Sequence, residues 1–103
     1  MIIHNVYFSL LDRSPAARQA LIDGCYKYLS VHPGILHFWV GGLAEDHVRE
    51  VNDRDWDVGL HVVYQDKAAH DLYHAHPLHD QFVLEFQPNW KMSRVFDSVA
   101  TRA

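Results

Sequence analysis

An α+β domain of ferredoxin-like type, with elements in the order strand, helix, strand, strand, helix, strand, is predicted by three observations. Four stretches alternate apolar and polar residues with the period of two that a half-buried strand requires. Two helical regions carry apolar residues at helical spacing and open on capping residues. Gly and Pro punctuate the joins, and no repeat, low-complexity tract or linker breaks the order, so residues 1–103 read as one domain.

The first strand is predicted over 2–10, with His4, Val6 and Phe8 on one face and Ile3, Asn5 and Tyr7 on the other. Ser14-Pro15 then starts a helix, Ser14 as N-cap and Pro15 at the first helical position. Its apolar positions are Ala17, Leu21, Cys25 and Tyr28, flanked by Ile22 and Leu29, and His32-Pro33-Gly34 ends it. A second strand follows over 35–40, closed by Gly41-Gly42. Residues 44–55 are mostly charged and read as a solvated loop. The third strand is predicted from Trp56 to Tyr64. Asp66 caps the next helix, which carries Ala69, Leu72 and Tyr73 inward. His76-Pro77 breaks it, because the residue before proline is pushed out of the helical region. Pro77 opens a further helix that buries Phe82, Val83 and Phe86 and ends near Pro88. Residues 91–98 form the last strand.

In this arrangement both helices cover one face of the sheet. That face is predicted to hold His4, Val6, Phe8, Leu36, Phe38, Val40, Trp56, Val58, Leu60, Val62 and Tyr64. The other face carries Ile3, Tyr7, Trp39, Val63, Met92 and Phe96, interspersed with Asn5, His37, His61 and Arg94. So much aromatic surface is large for a monomer to expose. Pairing two such faces about a twofold axis buries it, so a homodimer is expected.

Composition excludes several classes. The net charge of −4, with no segment rich in Lys or Arg, argues against a nucleic-acid or anionic-membrane partner, since phosphate binding relies on clustered positive charge. Cys25 is the only cysteine, which leaves no intrachain disulfide and no CxxC motif. No apolar run approaches the ~20 residues of a membrane helix, and the opening residues read as a strand rather than a signal peptide. A cytoplasmic location is expected.

Nine histidines are many for this length, and four fall between residues 70 and 79. His70 and His74 stand at i, i+4 on a helix, but no HExxH motif and no evident third ligand accompany them, so no metal is expected. His32, His37 and His47, at a turn, on the sheet's open face and in the charged loop, read as structural. The run Tyr73 to Phe82 is more pointed. His79 lies in the first turn of a helix, where the positive end of the dipole disfavours imidazolium. A neutral imidazole against an apolar wall is a base at pH 7, and Tyr73 can orient a carbonyl or stabilise an enolate. His4 faces the same side and needs a polar partner, Tyr73 or His79. The competing reading is a core histidine and tyrosine that merely satisfy each other.

These features together resemble the stress-responsive A/B barrel (Dabb) family of dimeric α+β barrels. The resemblance spans nearly the whole chain: His4 in the opening strand, His32-Pro33-Gly34, Trp56-Asp57-Val58, Tyr73-x-x-His76-Pro77-x-His79-x-x-Phe82, Trp90 and Val95-Phe96-Asp97. It implies a pocket between helices and sheet in each subunit. One branch of the family is a plant polyketide cyclase, in which the residues matching Tyr73 and His79 act in an aldol-type ring closure and the one matching His4 lines the pocket. By this resemblance Tyr73, His79 and His4 are the expected catalytic residues. The expected walls are Val6, Phe8, Leu21, Ile22, Cys25, Leu60, Phe82, Val83, Trp90 and Val95; the cyclase is more aromatic where Leu21, Ile22 and Cys25 stand.

The function expected is acid/base chemistry beside a carbonyl, of cyclase, isomerase or lyase type, on an apolar small molecule and without a cofactor. The alternative is a non-catalytic stress-responsive dimer or ligand carrier. Oxygen or haem chemistry, performed by other dimeric α+β barrels, ranks last because no ligand spacing singles out haem.

Overall fold

The computed structural model describes residues 1–102. Its elements are β1 (Ile2–Leu10), α1 (Pro15–Leu29), β2 (Ile35–Gly42), β3 (Val58–Tyr64), α2 (Lys67–Ala75), α3 (Pro77–Phe86) and β4 (Trp90–Val99), with one turn of 3₁₀ helix at Gln87–Asn89 before β4. The strands form one antiparallel sheet in the order β2-β3-β1-β4. This is the ferredoxin-like βαββαβ fold.

The expected caps form. The Ser14 hydroxyl accepts from Ala17 N–H at 3.2 Å and the Asp66 carboxylate from Ala69 N–H at 2.9 Å, satisfying donors that a helix start leaves unpaired. Between α1 and β2, Gly34 adopts φ +84°, and a Cβ there would lie 2.4 Å from the Cβ of Ala69. Glycine is required both by the backbone angle and by the approach of α2.

Val6, Phe8, Val58, Leu60, Val62 and Tyr64 of the sheet pack on Leu21, Cys25 and Leu29 of α1, Tyr73 of α2 and Phe82 of α3. Helices α1 and α3 approach closely at Gly24, where a side-chain carbon would fall 2.2 Å from the Phe86 ring. Asp57, fully buried, tethers the junction before β3. Its carboxylate accepts from Leu10 N–H at 2.9 Å and pairs with Arg13 at 3.1 Å and Arg18 at 3.0 Å. Burial pushes its pKa up, but these donors outweigh that and hold it below the usual carboxylate value.

Three placements differ from the sequence reading. Ile35, not Leu36, packs on the core, because a register shift between Ile35 and His37 interrupts the alternation of β2; Leu36 is exposed. Trp56 precedes β3, so the strand's alternation does not extend to it. Its ring packs on Tyr7 of the open face at 5.0 Å, and its indole N–H donates to Asp53 O. Leu72 points outward, since only Ala69 and Tyr73 of α2 reach the core.

The open face carries the expected aromatics. Trp39 (55% exposed) stacks on His37 at 4.9 Å, and Phe96 (53%) and Met92 (51%) project from β4. The end of the 44–55 segment folds onto this face rather than standing in solvent: Asp53 pairs with Arg94 of β4 at 2.7 Å.

Candidate active site

The sheet turns its polar residues toward one end of the helix layer. In the register of β1 with β4, His4 lies opposite Asp97, Val6 opposite Val95 and Phe8 opposite Ser93. All six line a cavity of about 270 Å³ closed by α2 and α3. Its other walls are Leu29, Leu60, His70, Tyr73, His74, His79, Phe82, Val83 and Trp90. A volume near the lower end of the ~300–1,000 Å³ typical of small-molecule sites, mostly apolar with a few convergent polar groups, suits a compact ligand.

Tyr73 lies in the last turn of α2 with its ring buried, and the His76-Pro77 break turns the chain so that His79 follows on α3. The two rings meet edge to face at 5.2 Å between centroids. The break has its own cap: His76 Nδ1 accepts from Leu78 N–H at 3.0 Å, a role the sequence reading did not give it. On the sheet side the His4 ring lies 6.1 Å from that of Tyr73. The three residues expected to be catalytic therefore share one cavity.

Their electrostatic states differ. Burial pushes the Tyr73 hydroxyl well above the ordinary tyrosine value, so it remains a hydrogen-bond donor and is not a base. His79 is half-buried, and burial first, then the neighbouring His74, lowers its pKa below 6.5. It is neutral at pH 7. Burial and a second histidine, rather than the helix start expected from the sequence, set this shift.

The partner of His4 is neither Tyr73 nor His79. It is Asp97, whose Oδ1 lies 2.5 Å from His4 Nδ1. Burial lowers the His4 pKa and Asp97 offsets this in part, leaving it lowered. A carboxylate only accepts, so in neutral His4 the proton sits on Nδ1 and the lone pair on Nε2. The sequence reading missed Asp97 as a site residue, because nothing local to it indicates which residue lies across the strand pair.

Of the ten expected wall residues, Val6, Phe8, Leu60, Phe82, Val83, Trp90 and Val95 line the cavity. Leu21, Ile22 and Cys25 do not. Leu21 and Cys25 are consumed in the core between α1 and the sheet, where burial pushes the Cys25 thiol up to about 12 and leaves it inert. Ile22 lies over a separate surface depression with Arg13, Arg18 and Trp56. His32, by contrast, supports the site from behind: it is buried 5.2 Å from the Tyr73 ring and 4.7 Å from that of His76.

A four-stranded antiparallel sheet, covered by helices on one face and carrying exposed aromatics among polar residues on the other, with a histidine–tyrosine cavity under the helices, defines a ferredoxin-like α+β barrel protein. Residues 2–100 match the stress-responsive A/B barrel domain, and the chain belongs to that family, Dabb. A Dabb protein of Mesorhizobium loti with a ferredoxin-like fold is 25% identical, with a TM-score of 0.79 over 98% of this chain and 97% of that one. A protein of Arabidopsis thaliana is 23% identical, with a TM-score of 0.80 over 100% and 98% of the two chains. A hydroxynitrile lyase from Passiflora edulis shares the fold at 16% identity and a TM-score of 0.77, covering 99% and 94%. A protein of Thermobifida fusca, 16% identical with a TM-score of 0.78 over 96% and 90%, is described as dimeric and ferredoxin-like. No curated protein matches the sequence. No helix is long and apolar enough to cross a membrane among the described residues.

Proposed function

We propose that this chain is a homodimeric Dabb enzyme that performs acid/base chemistry beside the carbonyl of a compact, largely apolar small molecule. The observation that carries the reading is the meeting of Tyr73 and His79 at 5.2 Å, with His4 6.1 Å from Tyr73, in one apolar cavity. A neutral imidazole and a phenol held protonated are a base and an electrophilic donor in the states each role needs.

In the reaction so read, the Tyr73 hydroxyl donates to the substrate carbonyl oxygen. His79 takes a proton from the adjacent carbon, and the C–H electron pair moves into an enolate whose oxygen Tyr73 holds. The enolate carbon attacks a second carbonyl carbon of the same molecule, forming a C–C bond. The alkoxide that results recovers the proton from the His79 imidazolium. His4, oriented by Asp97, offers its Nε2 lone pair to a hydroxyl of the substrate and fixes its pose. The same first step serves an isomerase or a lyase.

The dimer rests on the open face. Trp39, Met92 and Phe96 are each more than half exposed there, around the Tyr7–Trp56–Phe96 cluster, and relatives of this fold are described as dimeric. The cavity lies on the other side of the sheet, so the dimer leaves it open.

The test is a ligand-observed NMR screen of small aromatic and aliphatic ketones and diketones, followed by turnover assays of the binders. Binding weakened by Tyr73→Phe, and proton exchange or turnover abolished by His79→Ala with binding retained, is expected. Binders that respond to neither substitution overturn the reading.

A further inference from the structure

We infer that His4, His70 and Asp97 form a binding site for a first-row transition-metal cation of the zinc class at the edge of the cavity. One ligand atom from each lies within 4.8 Å of the other two, and among the described residues this is the one such group of His, Cys, Asp or Glu. Two imidazoles and one carboxylate are a nitrogen/oxygen set that suits zinc, cobalt, nickel or ferrous iron, not the all-oxygen cages of magnesium or calcium.

The site is assembled from three elements: His4 on β1, Asp97 on β4 and His70 on α2. The strand pairing sets His4 opposite Asp97, and the rings of His4 and His70 meet at 5.3 Å. His70 already has an outer partner. Its Nδ1 lies 3.2 Å from Asp71 Oδ1, which leaves Nε2 as the free nitrogen. A carboxylate on the far nitrogen is how metal-bound histidines are commonly oriented. His74, the partner suggested by helical spacing, instead stacks on His70 with rings 6.2 Å apart and only 21° from parallel.

Ligands at ~2.0–2.2 Å from a tetrahedral zinc stand ~3.3 Å apart. Metal entry therefore draws His70 inward by a side-chain rotation and opens the 2.5 Å contact of His4 with Asp97. The proton on Nδ1 is exchanged through solvent for one on Nε2, so His4 stays a neutral imidazole, and the freed Nδ1 and the Asp97 oxygen become ligands. Three protein ligands leave a fourth position for water or an oxygen donor, the pattern of an open site. The proposal uses neither Tyr73 nor His79, so the acid/base pair can fail without it. A metal-bound His4 presents Nε2–H rather than a lone pair, so the pose-fixing role given to His4 and Asp97 belongs to the metal-free protein.

The experiment is calorimetric titration of untagged, chelator-treated protein with Zn²⁺, and optical titration with Co²⁺, alongside Mg²⁺. One Zn²⁺ or Co²⁺ per chain in the micromolar range, with no comparable Mg²⁺ binding, is expected. His70→Ala and Asp97→Asn should each weaken binding at least ~10–100-fold, the loss typical even of outer partners; His74→Ala and His79→Ala should not. His70 is only partly buried and its Nδ1 already faces Asp71 at the surface, so His70→Ala remains informative if thermal melts show that Asp97→Asn fails to fold. Absence of saturable binding at millimolar Zn²⁺, or binding that survives His70→Ala, overturns the proposal.

Discussion

His4 Nδ1 and Asp97 Oδ1 lie 2.5 Å apart although 93 positions separate them in sequence. The contact exists because β1 and β4, the first and last strands, are neighbours in the sheet and pair these two residues across the ladder. It fixes which nitrogen of His4 holds the proton. Long-range ¹⁵N–¹H spectra at pH 7.5 without metal are expected to show His4 as the Nδ1–H tautomer. In Asp97→Ala the mixture should shift toward Nε2–H, the form free imidazole prefers; an unchanged tautomer would mean that Asp97 does not set it.

His79 makes no side-chain hydrogen bond among the described residues and is half-buried at the cavity wall. His79→Ala is therefore expected to change stability by less than ~1 kcal/mol. A loss of several kcal/mol in urea unfolding would mark it as a packing residue and remove the reason for assigning it as a base.

Acid should destabilise the fold before any carboxylate titrates. His4, His32, His61 and His79 all have pKa values below the ordinary 6.5, in each case chiefly through burial. The unfolded chain then binds protons that the folded chain refuses. The sign follows: this stability is full above pH ~6.5 and is lost as pH falls through 6.5 toward the folded values. Each kcal/mol lost appears as a Tm drop of ~4–8 °C in a domain of this size. A calorimetric Tm that stays level between pH 7.5 and 5 would contradict the burial of these rings.

Trp39→Asp tests the open face. A carboxylate there would be desolvated on pairing while remaining hydrated in the monomer. Sedimentation should show a dimer for the natural chain, burying more than ~1,000 Å² in total, and a shift toward monomer in the variant with helical content retained. A variant that stays fully dimeric would place the interface elsewhere.

Gly24→Ala sets two effects against each other. Helix propensity favours alanine by ~1 kcal/mol, whereas the new carbon would fall 2.2 Å from Phe86. Overpacking of this kind costs about 1–3 kcal/mol, so net destabilisation is expected. Denaturant unfolding that shows a gain would mean that Phe86 moves aside freely.

The sequence by itself determined the order of elements, the caps at Ser14 and Asp66, the break at His76-Pro77 and the side of the sheet that His4 faces. Each is written in local chemistry: side-chain periodicity, a hydroxyl or carboxylate before a helix, a proline without an N–H. The pointer to Tyr73 and His79 was also legible, because both flank that break and their spacing is short. Only the tertiary structure decided what His4 bonds to, which walls the cavity has and which histidine joins His70. Asp97 carries no local mark of its role, and its approach to His4 depends on strands from opposite ends of the chain lying side by side. The spacing of Leu21 and Cys25 turns them inward and the family resemblance makes them walls, but α1 lies so close to the sheet that no cavity remains beneath them. Helical spacing likewise brings His74 near His70, yet the atoms that converge on His70 come from the sheet, a His4 nitrogen and an Asp97 oxygen. Periodicity gives the side of an element a residue occupies; which residue stands across from it is set by how the elements pack.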